Sequence, residues 1–245
     1  MARRSPTREI PSTVQFTRDE FLAERWDYRP GEHVTILGPT GSGKTHLAYQ
    51  LLDATASRDL PAVVMVMKPR DRTVSAWSKR IGLRRVHGWP PVPNPVMGGR
   101  RAGWTVWPAH TFDPDKDDPM LHGVFRAAIL DSYKRGQRIL FADEAAGLSV
   151  ELDLDRELKT VWMRGRSMET GLWAASQRPV EIPLLAYSMA HHLFLAADPD
   201  YRTRQRYAEI GGIDPEIVHT LTRDLPEHHF LYIRRRGQRR AVILP

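Results

Sequence analysis

The residues Gly38-Pro39-Thr40-Gly41-Ser42-Gly43-Lys44-Thr45 constrain the fold of this chain more than any other stretch. They satisfy the pattern G-x-x-x-x-G-K-[ST] at each fixed position. An apolar, β-rich run (HVTIL, 33–37) precedes them, and a helix-like run beginning at His46 (HLAYQLLDA) follows. A strand that turns through glycines into a helix aims backbone N–H groups and the helix dipole at one point, which makes a cradle for an anion. The expectation is a phosphate loop running from Gly38 to His46 that binds ATP. Lys44 would reach the β- and γ-phosphate oxygens, and the Thr45 hydroxyl would join the shell of a Mg²⁺ ion.

Short apolar runs alternate with amphipathic ones along the rest of the chain. After the loop come AVVMVMK, a helical pattern over 73–81, the helical run MLHGVFRAAILDSYKRG, then RILFADE, LDRELKTVWMRGR, GLWAASQ and HHLFLAA. Such alternation predicts an α/β fold with a mostly parallel central sheet flanked by helices. The tail adds two helix candidates, YRTRQRYAEI and PEIVHTLTRDL, and a terminal β-hairpin, HFLYIRRRGQRRAVIL. Residues 1–29 read as a basic arm containing one short helix, and 30–245 as the ATPase domain. Within that domain the stretch from about 87 to 118, rich in proline and glycine, reads as an irregular insertion, and 201–245 holds the C-terminal helices and hairpin. At 245 residues, 41% hydrophobic and 27% charged, the chain is of a size and composition to bury its own core.

Charge and cysteine content narrow the function classes. Thirty-six Lys and Arg against 29 Asp and Glu give a net charge of +7, which favours a polyanionic partner. With no cysteine, disulfide frameworks, thiol catalysis and Cys-based metal sites are all excluded. The opening MARRSPTREIPST has arginines with no apolar run behind them, and no apolar run elsewhere is long enough to insert into a membrane, so the chain reads as soluble and cytoplasmic.

Two further strand ends carry chemistry. RILFADE is a buried-strand pattern ending in Asp143 and Glu144; beside a phosphate loop, Asp143 would complete the Mg²⁺ shell and Glu144 would orient and deprotonate the attacking water. GLWAASQRP ends on Ser176-Gln177-Arg178-Pro179, and the Gln177 amide can bond both a γ-phosphate and the water attacking it.

Taken together, GPTGSGKT, ILFADE and RSMETGLWAASQRP resemble the FtsK/HerA group of P-loop motor ATPases, including the packaging ATPases of membrane-containing viruses. That family places an arginine eleven residues before the glutamine of a TQRP-like element; here Arg166 stands in that position, and SQRP replaces TQRP. A glycine three residues after the arginine is usual there, whereas this chain has Glu169. The resemblance spans roughly residues 32–197. It implies a P-loop NTPase sheet with an extra strand between the Walker A and Walker B strands, and ATP hydrolysis in a homohexamer or similar ring that moves double-stranded DNA. It also implies that Arg166 acts as a finger on a neighbouring subunit's nucleotide, with Arg164 and Arg178 as rival donors. A viral or mobile-element packaging motor is the role expected, docked at a viral portal or membrane vertex and thus virion-associated. An ATP-dependent switch or assembly protein is the alternative, and a small-molecule phosphotransferase a third.

Weaker features remain open. Arg234-Arg235-Arg236 and Arg239-Arg240 straddle Gly237 in the hairpin, and are either a phosphate-backbone contact or a solvated edge. Arg100 and Arg101 form a second basic loop. His191-His192 and His228-His229 lack metal-ligand spacing, and the tryptophans read as core or loop anchors.

Overall fold

The computed structural model describes residues 13–92, 102–177, 182–210, 214–235 and 239–245. In chain order the strands are β1 (Gln15–Phe16), β2 (Val34–Leu37), β3 (Ala62–Met65), β4 (Leu83–Val86), β5 (Gly103–Val106), β6 (Arg138–Ala142), β7 (Thr170–Ser176), β8 (His192–Ala196), β9 (Phe230–Arg234) and β10 (Arg239–Ile243). The helices are α1 (Arg18–Glu24), α2 (Lys44–Thr55), α3 (Arg72–Ile81), α4 (Pro114–Arg135), α5 (Asp155–Arg164), α6 (Leu184–Ser188), α7 (Tyr201–Ile210) and α8 (Pro215–Asp224). All ten strands form one sheet in the order β1-β10-β9-β8-β2-β7-β6-β3-β5-β4. From β8 to β4 every pairing is parallel, and the β9–β10 hairpin adds antiparallel pairs at one side.

The apolar runs are central strands because helices cover both of their faces. All four residues of β2, all four of β3 and all seven of β7 are buried. One face packs Phe125, Leu158, Trp162, Tyr187 and Tyr207. The other packs Phe21, Leu47, Tyr49 and Trp77. The phosphate-loop strand β2 and the Asp143 strand β6 are separated by β7, the extra strand that the resemblance implies.

Two readings of the sequence change. The stretch 87–118 is not a wholly irregular insertion: β5 lies in it, paired with both β3 and β4, and α4 starts inside it at Pro114. Gly103 hides the strand, because glycine reads as a turn; here a Cβ would come within 1.8 Å of the Ala62 carbonyl oxygen, so only glycine allows β5 to approach β3. β4 (LRRV) is also absent from the sequence reading, since an edge strand with two arginines has no buried-strand pattern. The described part of the basic arm packs on the sheet. β1 pairs with β10, and α1, closed by a Thr17–Glu20 capping box, buries Phe21 completely. Residues 1–12, and Arg100 and Arg101, lie outside the described residues. Among the described residues, no helix is long and apolar enough to cross a membrane.

Candidate active site

Parallel strands bring their C-terminal ends to one edge of the sheet, and the loops after β2, β3, β6, β7 and β8 all emerge there. In the loop after β2, Gly41 and Gly43 adopt left-handed backbone, with φ of 84° and 89°. A Cβ on Gly38 would lie 2.5 Å from the Ala196 side chain, so glycine lets the loop lie against β8. Gly43 caps α2, whose first-turn N–H groups have no intrahelical acceptor. Lys44 is buried, and its Nζ donates to the Pro39 carbonyl across the loop at 2.9 Å. Burial lowers its pKa, while the Glu144 and Asp143 carboxylates pull it back up. Ser42 Oγ is buried without a partner. The left-handed glycines, the lysine folded into the loop and the orphaned hydroxyl together fit a chain of phosphates.

Two networks converge on this loop. The Thr45 hydroxyl donates to Asp143 Oδ1 at 3.0 Å. These are two hard oxygen donors of the kind Mg²⁺ takes. The Thr40 hydroxyl donates to Gln177 Oε1 at 2.7 Å, and Gln177 Nε2 donates to Glu144 Oε2 at 3.1 Å. Burial raises the pKa of Glu144, against the opposing effects of the Gln177 hydrogen bond and of Lys44. Burial likewise raises Asp143, opposed chiefly by Lys68 and the Thr45 hydrogen bond. Lys44, Thr45, Asp143, Glu144 and Gln177 are thus drawn together from three strands. His46 enters differently: its ring accepts from the Trp77 indole at 3.3 Å, and its backbone N–H belongs to the first turn of α2.

Arg166 is not in this cluster. It lies in the one-turn 3₁₀ segment Gly165–Met168 before β7, beside Gly31 and near enough to His33 to depress the pKa of that ring. That is the opposite edge of the sheet. The seven residues of β7 separate the two edges by about 20 Å. The Arg164 and Arg166 side chains are exposed, with no hydrogen bond or ion pair among the described residues. Arg178 lies outside the described residues. Glu169, where the resemblance leads one to expect glycine, is itself left-handed with φ 54°. The turn keeps its glycine geometry without a glycine, tied by Gln137 Nε2 donating to the Glu169 carboxylate at 2.9 Å.

The basic hairpin is partly consumed by the fold. Arg234 is buried against Asp27, 3.0 Å away, and Arg235 donates to the Ser188 carbonyl. Arg236 and Gly237 lie outside the described residues. The histidine pairs divide between roles: His192 bridges Glu32 and the Tyr232 hydroxyl, and His191 accepts from the His33 N–H. Among the described residues no group of three or more His, Cys, Asp or Glu could hold a metal.

Lys68, Asp198 and Arg18 were not singled out in the sequence. Lys68 Nζ is 3.9 Å from Asp143 Oδ2 and 3.6 Å from Asp71. Asp198, its pKa raised by burial, shares with Thr40, Gln177 and Arg202 a cavity of about 580 Å³ next to the loop. Lys68 and Asp198 closely follow apolar strands, which is the signal that identified Gln177. Arg18 has no such signal.

Neither protein-family models nor curated proteins match the sequence. Solved structures do. The DNA-packaging ATPase B204 of Sulfolobus turreted icosahedral virus is 17% identical with a TM-score of 0.61, covering 89% of this chain and 99% of B204. The genome packaging NTPase B204 of Sulfolobus turreted icosahedral virus 2, in complex with AMPPCP, gives 16% and 0.56, covering 89% and 100%. VirB4 of Thermoanaerobacter pseudethanolicus gives 13% and 0.63, covering 86% and 88%. The chain therefore has the fold of these proteins.

Proposed function

We propose that this chain is a Mg²⁺-dependent ATPase that translocates double-stranded DNA, working in a ring as a viral or mobile-element genome-packaging motor. The observation that carries the reading is Gln177, bonded at once to the phosphate-loop residue Thr40 and to Glu144. In this reading the bound nucleotide acts on that link and passes its state to the strand that begins beside Arg166 at the far edge. The packaging role is carried over from the B204 proteins, whose fold the chain shares.

In this reading the loop N–H groups and Lys44 hold the β- and γ-phosphates. Thr45 and Asp143 would hold Mg²⁺, which when bound neutralises charge on the phosphate oxygens. Glu144 takes a proton from water as the water oxygen bonds to the γ-phosphorus and the bond to the β-phosphate oxygen breaks, leaving ADP and inorganic phosphate. Gln177 orients that water. Arg166, too far from its own loop, supplies positive charge to the γ-phosphate of a neighbouring subunit.

The test is steady-state ATP hydrolysis by the purified protein with and without long double-stranded DNA, alongside Glu144→Gln. Several-fold stimulation by DNA, abolished in Glu144→Gln, is the expected result. Turnover indifferent to DNA at all salt concentrations would replace the motor with an ATP-dependent switch.

A further inference from the structure

Arg18, the first residue of α1, is a buried cation without a counter-ion. Only 7% of it is exposed, yet no carboxylate lies within ion-pair distance of it among the described residues. Nη1 donates to Gln50 Oε1 and Nη2 to the His228 carbonyl, both at 2.9 Å, while Nε is buried with no acceptor. The guanidinium stands over the Phe230 ring at 5.8 Å. Burying a charge against neutral dipoles is costly unless an anion completes the site.

The phosphate loop is beside it. A Cβ on Gly43 would lie 3.8 Å from Arg18 Nη2 and 3.4 Å from His228 Nδ1. His228 is held in left-handed backbone, φ 62°, in the turn before β9, with its carbonyl accepting from Arg18. His46, which follows the loop, is close enough to both for their charges to depress its pKa, in addition to the larger effect of burial. The loop thus has two unlike flanks. In the nucleotide-binding reading, Asp143, Glu144 and Gln177 gather where β- and γ-phosphates and water react; Arg18, His46 and His228 gather at Gly43 and the start of α2, with the Glu227 carboxylate 3.6 Å from His228 Nε2 and Asp19 and Asp53 in the cleft beside His46.

We propose that Arg18 is the ligand of the α-phosphate of the bound nucleotide, with His228 walling the nucleoside end. Both termini of the chain then close one site: α1 supplies the cation and the turn before β9 supports it. The proposal rests on the nucleotide-binding reading above and adds to it a residue outside the loop and a direction for the bound nucleotide.

The test is calorimetric titration with ADP of the wild-type protein, Arg18→Gln, Arg18→Lys and Lys44→Ala, with the melting temperature of each unliganded protein. An arginine awaiting an anion contributes little to the empty fold. Arg18→Gln should therefore keep or raise the unliganded melting temperature while weakening ADP about 10- to 100-fold, as loss of a charged hydrogen bond does. Arg18→Lys should recover part of the affinity. Wild-type ADP affinity in Arg18→Gln overturns the proposal, as does an affinity loss matched by a fall in unliganded stability, the mark of an arginine that only fastens α1. Wild-type protein that binds no ADP removes the nucleotide-binding reading itself, and Arg18 with it; that failure is separable because it appears before any variant is compared.

Discussion

Glu144 shows how burial and hydrogen bonding set the state of a single carboxyl. Desolvation raises its pKa, and the Gln177 hydrogen bond and Lys44 only partly offset that effect. A carboxyl raised in the folded state binds its proton more tightly there than in the unfolded chain. Its stabilising contribution is present below the ordinary glutamate value and is lost as pH rises through the folded value. Glu144→Gln removes the charge and keeps the acceptor that Gln177 needs. The unliganded variant should therefore match or exceed the wild type in thermal stability near pH 8, with the difference closing as pH falls into the carboxylate range. A melting series across that range checks this, and a Gln variant less stable at every pH would contradict it. The same variant should be inactive, so stability and turnover move in opposite directions at one residue. Glu169 makes the converse point: a left-handed backbone is kept although the side chain disfavours it, because the turn it forms also fixes Arg166 against Gly31.

At the scale of elements, the start of the central strands is knit by histidines. His33, just before β2, accepts from the Leu172 N–H of β7 through Nδ1 at 2.9 Å and meets the Trp162 carbonyl through Nε2 at 3.1 Å. That pattern requires the neutral ring with its proton on Nε2. Burial first, then the charges of His191 and Arg166, lower its pKa to about 4. Since the folded value is depressed, the stabilisation is present above the ordinary histidine value and is lost as pH falls from about 6.5 to about 4. The loss from this one ring is about 3 kcal/mol. Urea unfolding at pH 7.5 and pH 4.5 should show it, with a shallower pH dependence in His33→Gln; an equal slope in the two proteins would mean that other groups carry the effect. These histidines could be seen in the sequence as strand starts but not as a joint, because the partners Leu172, Trp162 and Glu32 are supplied by other elements. The same limit runs through the fold. β2, β6, β7 and β8 were legible because strands covered on both faces are written in unbroken apolar residues, and the polar residues ending them marked the site. β4 and β5 were not legible: one is an edge strand carrying Arg84 and Arg85, and the other begins at the Gly103 that its pairing demands. Arg18 was read within the short helix of the 1–29 arm, where a charge next to Asp19 and Glu20 gives no sign that folding buries it.

For the whole molecule, the separation of Arg166 from the loop means that the proposed arginine contact requires a second subunit. Gln177 and Arg166 sit at the two ends of one strand, so the glutamine proposed to sense the nucleotide and the exposed arginine are rigidly joined and cannot meet within one chain. In the proposed assembly a head-to-tail contact would place one subunit's far edge against the next subunit's loop, and such a contact, repeated, closes a ring where its rotation closes. The arrangement makes a complementation prediction that a self-contained site does not. Lys44→Ala subunits keep Arg166 but lose the phosphate loop, and Arg166→Ala subunits keep the loop but lose the arginine; each alone should hydrolyse ATP poorly. If subunits mix freely in equal amounts, about a quarter of the sites in a head-to-tail ring pair an intact loop with an intact arginine, and activity should return toward that fraction of the wild-type rate. Hydrolysis measured before and after co-dissociation and reassembly checks the outcome. Recovery would place the arginine in trans. Full activity of Arg166→Ala by itself would transfer the role to Arg164 or Arg178, while inactivity of both variants with no recovery in the mixture would mean that the two residues must belong to the same chain, against the geometry of β7.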